Sequence, residues 1–95
     1  MPAGQKQSSP EKRAFAQALT RLRGERSLTQ EALASESGYH PKYISLLEQG
    51  RYSPSLTTIL ELSEALQISA SDLVGRVERL LPKNRRRRRE TREIR

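Results

Sequence analysis

Cysteine is absent from this 95-residue chain, which excludes disulfides, thiol nucleophiles and sulfur-ligated metal centres. Histidine occurs once, so zinc sites built on paired imidazoles are excluded as well. There is no Trp, a single Phe, and aromatics are 4% of residues. Strand-rich folds draw on aromatic and β-branched residues, so this scarcity points to helices cored by Leu, Ile and Ala. No apolar run exceeds three residues, which leaves nothing to span a bilayer. Met1 to Ser9 has no apolar stretch of the kind a secretory leader needs. The expectation is one small helical domain in the cytoplasm, with no membrane partner, metal or cofactor.

Charge is plentiful but unevenly placed. The formal net charge is +7. Residues 1–81 hold ten Lys and Arg against nine acids, a balance of +1. Residues 82–95 hold eight basic residues, with Arg85 to Arg89 consecutive, against Glu90 and Glu93, a balance of +6. The high isoelectric point therefore belongs to the tail, and any basic face on the folded part must come from arrangement. The tail reads either as a solvated end or as an arm drawn to phosphates; DNA, RNA or an acidic protein would all satisfy it. The predicted division is a flexible arm at 1–9, a folded domain at 10–81 and the Arg-rich tail at 82–95.

Five helices are predicted, each with its own start signal. Ser9-Pro10 opens the first: a capping residue, then Pro where its missing N–H costs nothing. Phe15, Leu19 and Leu22 form its apolar stripe, and it should end near Arg26. Thr29 caps a short second helix with Leu33 and Ala34 inward, closed by Gly38. His40-Pro41 opens the third, with Ile44 and Leu47 inward, stopped at Gly50. Ser53-Pro54-Ser55 leads into the fourth, whose expected apolar face is Leu56, Ile59, Leu60, Leu62 and Leu66. Ser69 and Asp72 make a capping-box pattern for the fifth, followed by Leu73, Val74, Val77, Leu80 and Leu81. Nothing alternates with period two, so no strand is predicted and the fold class is all-α.

Residues 30–49, QEALASESGYHPKYISLLEQ, carry the functional signal. A short helix, a tight bend at Gly38 and a second helix fit a helix-turn-helix. Ala34 is small where the two helices nearly touch, and Gly38 turns the chain four residues later. Ile44 and Leu47 tie the second helix down, so Lys42, Ser45 and Gln49 must face outward.

On these residues, from about Phe15 to Val74, the chain resembles the lambda-repressor-like, or XRE/Cro, DNA-binding domains. LTQEALA followed by SGYHPKYISLLEQGRYSPSLTTILELSEAL matches the family pattern almost without gaps. The resemblance implies a compact five-helix fold whose recognition helix, about 41–49, enters the major groove. It implies base contacts from His40, Pro41, Lys42 and Leu46, and backbone contacts from Thr29, Gln30, Tyr43, Ser45, Gln49 and Arg51. It also implies a structural ion pair between Arg23 and Glu48. Pro41 and Lys42 depart from the Gln or Ser common at those positions in the family. Lys42 suits guanine O6 or N7, or a phosphate alone; Leu46 suits a thymine methyl or sideways packing. Readout is therefore expected to lean on DNA shape.

The last helix has more apolar surface than a small core needs. Leu73 and Val74 are expected inward, with Val77, Leu80 and Leu81 at a two-fold dimer contact. The predicted function is a homodimeric transcriptional regulator, a repressor or an activator, bound to double-stranded DNA at a palindromic operator and controlling its own synthesis. RNA polymerase or a toxin are the protein partners this leaves open. The alternative is an antitoxin-type protein that holds a toxin, with DNA binding secondary. An RNA-binding or packaging role through the Arg run is a third reading. No acid/base dyad, activated nucleophile or Gly-rich phosphate loop is visible, so no enzyme is expected.

Overall fold

The computed structural model describes residues 9–82. Most of the predicted arm and tail, including the arginine run, lies outside the described residues. Five helices follow in order: α1 (Pro10–Glu25), α2 (Gln30–Ser37), α3 (Pro41–Glu48), α4 (Leu56–Ala65) and α5 (Ala70–Leu80). No strand occurs among the described residues.

Every helix begins on a side chain that accepts a backbone N–H. Ser9, Thr29, Ser55 and Ser69 accept from the amides of Lys12, Ala32, Thr58 and Asp72, all at 3.0–3.1 Å. His40 caps α3 through Nδ1, which accepts from the Lys42 amide at 3.0 Å. Each cap satisfies one amide that the helix cannot pair internally. Pro10 and Pro41 occupy the first turn, where no intrahelical donor is lost.

The first four helices end alike. An amide bonds back to the carbonyl five residues earlier: Leu28 to Arg23, Tyr39 to Ala34, Arg51 to Leu46 and Ile68 to Ser63. The residue before each of those amides is left-handed: Ser27, Gly38, Gly50 and Gln67, with φ between +57° and +83°. This closure turns the chain sharply while pairing helix-end carbonyls. Gly38 and Gly50 enter that region without strain, whereas Ser27 and Gln67 carry a Cβ into it.

The core is a single aliphatic cluster. Leu19, Leu22, Leu33, Ile44, Leu47, Leu62, Leu66 and Leu73 are completely or almost completely buried, with Phe15, Ala18 and Ala34 among them. α1 is the central element: one side packs on α5 and the other on α3. α4 closes the cluster against α2 and α5.

Two expectations about facing need correction. Leu56 and Leu60, assigned to the inward face of α4, are 70% and 52% exposed. At 100° per residue they fall outside the arc set by Leu62 and Leu66. Val74, expected inward beside Leu73, is 45% exposed. Val77 and Leu80, expected at a dimer contact, are half-buried and pack against the protein's own core.

Leu19→Ala is expected to destabilise the fold by about 2–5 kcal/mol, the range for a buried Leu that leaves a cavity. At concentrations where the chain is monomeric, Leu60→Ala should change stability by no more than about 0.5 kcal/mol, as for an exposed position. Urea unfolding of the two variants checks the assignment of inner and outer faces.

Candidate nucleic-acid interface

α2, the bend at Gly38 and α3 form the helix-turn-helix. Gly38 has φ +83°, a conformation that side-chain-bearing residues rarely adopt, although a Cβ there would meet open space. Ala34 is buried where the chain turns back, and its carbonyl accepts from both Gly38 and Tyr39.

α3 has a sharply divided surface. Ile44 and Leu47 are fully buried. His40, Lys42 and Gln49 are exposed, while Pro41, Tyr43, Ser45 and Leu46 are half-buried. Because His40 accepts at Nδ1, its neutral imidazole carries its proton on Nε2, a donor. Gln49 donates to Ser45 Oγ at 3.0 Å, so these two polar side chains form one unit along the flank of the helix. Arg51 is exposed in the loop beyond, and Thr29 is exposed at the start of α2. The backbone thus brings His40, Lys42, Ser45 and Gln49 onto one helix, with Thr29 and Gln30 at the N-terminus of its neighbour. Leu46 is only partly open, which limits its reach.

The C-terminal end of α3 is gripped by a polar network. Arg23 on α1 donates Nε to Glu48 Oε2 at 2.7 Å and Nη2 to Oε1 at 3.0 Å. Its Nη1 donates to the Leu28 carbonyl at 2.8 Å. Gln30 donates Nε2 to Glu48 Oε1 at 2.9 Å. One carboxylate therefore ties together α1, α2 and α3. The Glu48 side chain is only 6% exposed, which makes its pairing matter energetically. The hydrogen bond to Glu48, outweighing partial burial, raises the Arg23 guanidinium above its already high ordinary value.

Beside this network α1 and α3 leave a cleft of about 330 Å³, lined by Arg13, Ala16, Gln17, Thr20, Glu48, Gln49 and Gly50. Arg13, Gln17 and Thr20, which the sequence reading did not single out, reach this cleft together because they are four and three residues apart on α1.

A helix-turn-helix whose second helix is anchored on one side and uncovered on the other is the architecture of a DNA-binding regulator. The helix-turn-helix family model HTH_3 matches residues 19–73, and the chain belongs to that lambda-repressor-like (XRE) family of DNA-binding transcriptional regulators. It is 46% identical over 54 residues to an uncharacterized HTH-type transcriptional regulator, y4dJ, of Sinorhizobium fredii, covering 57% of this chain and 70% of the relative. It is 39% identical over 59 residues to the immunity repressor protein of Bacillus phage phi105, covering 62% of this chain but only 41% of that protein. Among solved structures, the restriction-modification controller protein C.AhdI of Aeromonas hydrophila superposes with a TM-score of 0.66 at 37% identity, over 68% of this chain and 98% of the other. No helix among the described residues is long and apolar enough to cross a membrane.

Arg23→Ala leaves the nearly buried Glu48 carboxylate without its main partner. The expected loss of stability is about 2–3 kcal/mol, more than an exposed pair would give. Replacing both residues, as Arg23→Met with Glu48→Leu, should recover much of it. Thermal melts of the single and double variants measure the difference.

Proposed function

We propose that this chain is a sequence-specific regulator that binds a palindromic operator as a homodimer, with α3 in the major groove. The observation that carries the reading is the two-sidedness of α3: its inner residues Ile44 and Leu47 are wholly buried, while His40, Lys42 and Gln49 stand uncovered. In this reading His40, Pro41 and Lys42 face base edges, with Leu46 at the margin. Thr29, Gln30, Tyr43, Ser45, Gln49 and Arg51 face the two phosphate strands that border the groove. Gln30 would hold the DNA backbone and Glu48 together, linking the position of the duplex to that of α3. Similarity to a phage immunity repressor and to a restriction-modification controller favours a switch that follows its own concentration.

The dimer contact in this proposal is drawn from exposure. Leu56 and Leu60 lie four apart on the flank of α4 away from the Tyr39–Glu61 contact, and Val74 is on α5, which packs against α4. These three are the exposed large aliphatic side chains of the described residues. A second copy of the chain covers this patch in the proposed assembly, because a two-fold contact needs only one such patch per protomer. Val77 and Leu80, busy in the core, take the inner edge of this seam, with half-buried Leu81 beside them.

Selection of bound DNA from a random pool tests the function directly. The expected product is an inverted repeat with half-sites about one helical turn, roughly 34 Å, apart; an unselective pool would overturn it. Lys42→Ala is expected to weaken operator binding by about 1–3 kcal/mol while changing random-duplex binding much less. Equal losses on both would make Lys42 a phosphate contact only. Leu60→Asp is expected to give folded monomers in sedimentation, whereas Val77→Asp should unfold the protein. A dimer that survives Leu60→Asp would place the seam elsewhere.

A further inference from the structure

All three tyrosines of the chain form one ladder along the edge of α3. The Tyr39 and Tyr43 ring centroids are 5.1 Å apart at 42°. Those of Tyr43 and Tyr52 are 6.2 Å apart at 31°. Both spacings lie in the range where tilted aromatic pairs attract beyond simple burial.

The inner end of the ladder is fixed. Tyr39 donates its hydroxyl to Glu61 on α4 and lies 3.1 Å from the Thr58 hydroxyl. With its proton committed to Glu61, Tyr39 accepts from Thr58, and Thr58 in turn accepts from Ser55 at 2.9 Å. The run Ser55 to Thr58 to Tyr39 to Glu61 is one directed chain of hydroxyls. The Glu61 hydrogen bond raises the Tyr39 phenol above its ordinary range, which keeps that donor protonated.

The outer end is different. Tyr52 is 49% exposed. Its hydroxyl has no hydrogen-bond partner among the described residues, and its ring contact is with Tyr43. A ring so placed adds little to the core. What it does is close the outer side of Tyr43, whose inner side rests on the anchored Tyr39.

Tyr43 sits in the first turn of α3, the turn that carries Pro41 and Lys42 and follows the His40 cap. The Arg23–Glu48–Gln30 network holds the opposite end of the same helix. Two turns of helix, pinned at the far end, can still swing at the near end unless something holds it from the side. We infer that Tyr52 is a positioning residue for base readout: through Tyr43 it fixes the reading end of α3 without itself touching DNA. This rests on the operator-binding function proposed above.

The test compares wild type, Tyr52→Ala and Tyr52→Phe on a selected operator duplex and on a random duplex. Tyr52→Ala is expected to lower the operator-to-random affinity ratio about three- to tenfold, as loss of one aromatic pair implies. Its random-duplex affinity should stay near wild type, and its melting temperature should fall by only a few degrees. Tyr52→Phe should restore the ratio, since the ring acts and the hydroxyl does not. An unchanged ratio in Tyr52→Ala overturns the inference. So does a Tyr52→Phe as weak as Tyr52→Ala, or an equal loss on both duplexes, because each indicates a direct backbone contact. A Tyr52→Ala that no longer folds also overturns it, by making the residue part of the core. If wild type itself held every duplex equally, the operator-binding function would fall, an outcome readily told apart from failure of the variant alone.

Discussion

A helix of two turns has almost no stability of its own in water, because the cost of nucleating it is not recovered over so few hydrogen bonds. α3 is eight residues long, so both its existence and its direction are imposed by what grips it. Ile44 and Leu47 supply the free energy by burial, and His40 and Pro41 lower the cost of starting the helix. Burial of two neighbouring side chains leaves rotation about the helix axis poorly defined. Directional contacts, made by Glu48 at one end and Tyr43 toward the other, remove that freedom.

Glu48 is a demanding choice for such a restraint. Taking a carboxylate out of water costs several kcal/mol unless its oxygens are paired, and a well-packed apolar residue often does as well for stability alone. The gain is in orientation. Arg23 approaches Glu48 with two parallel donors, and Gln30 brings a third from another helix. That geometry is satisfied at one relative placement of α1, α2 and α3 and is lost on small rotations.

How much of this was legible in the sequence follows from which interactions are local. The helix starts were, because a cap is a side chain reaching an amide two or three residues away, and Ser9, Thr29, His40, Ser55 and Ser69 all precede apolar periodicity. The helix ends were half legible. Gly38 and Gly50 announce a left-handed residue, while Ser27 and Gln67 adopt the same conformation under the pull of the following amide and leave no trace in composition. The faces of α4 were misread because its leucines surround more than half the helix. Periodicity cannot choose between Leu56 and Leu62 without knowing where α2 and α5 lie. Within the site, the Arg23–Glu48 pairing came through family resemblance, not spacing. Tyr52 was missed because its partner Tyr43 is nine residues away, across a turn, at no helical or strand interval.

Electrostatics gives the network a second consequence. The described residues carry nine basic and nine acidic side chains, so the folded body has no net attraction for a polyanion. Attraction must come from local arrangement, and α3 is arranged accordingly. Its one carboxylate, Glu48, is turned inward and neutralised by Arg23, while Lys42 and Arg51 are left exposed. An unpaired Glu48 would stand against phosphates at close range, where repulsion is weakly screened. The contact that orients the helix therefore also clears negative charge from the surface that is to meet DNA. In the operator-binding function proposed above, charge neutralisation is the same on every sequence and so supplies attraction without selectivity. Discrimination in that function depends instead on how firmly α3 is held.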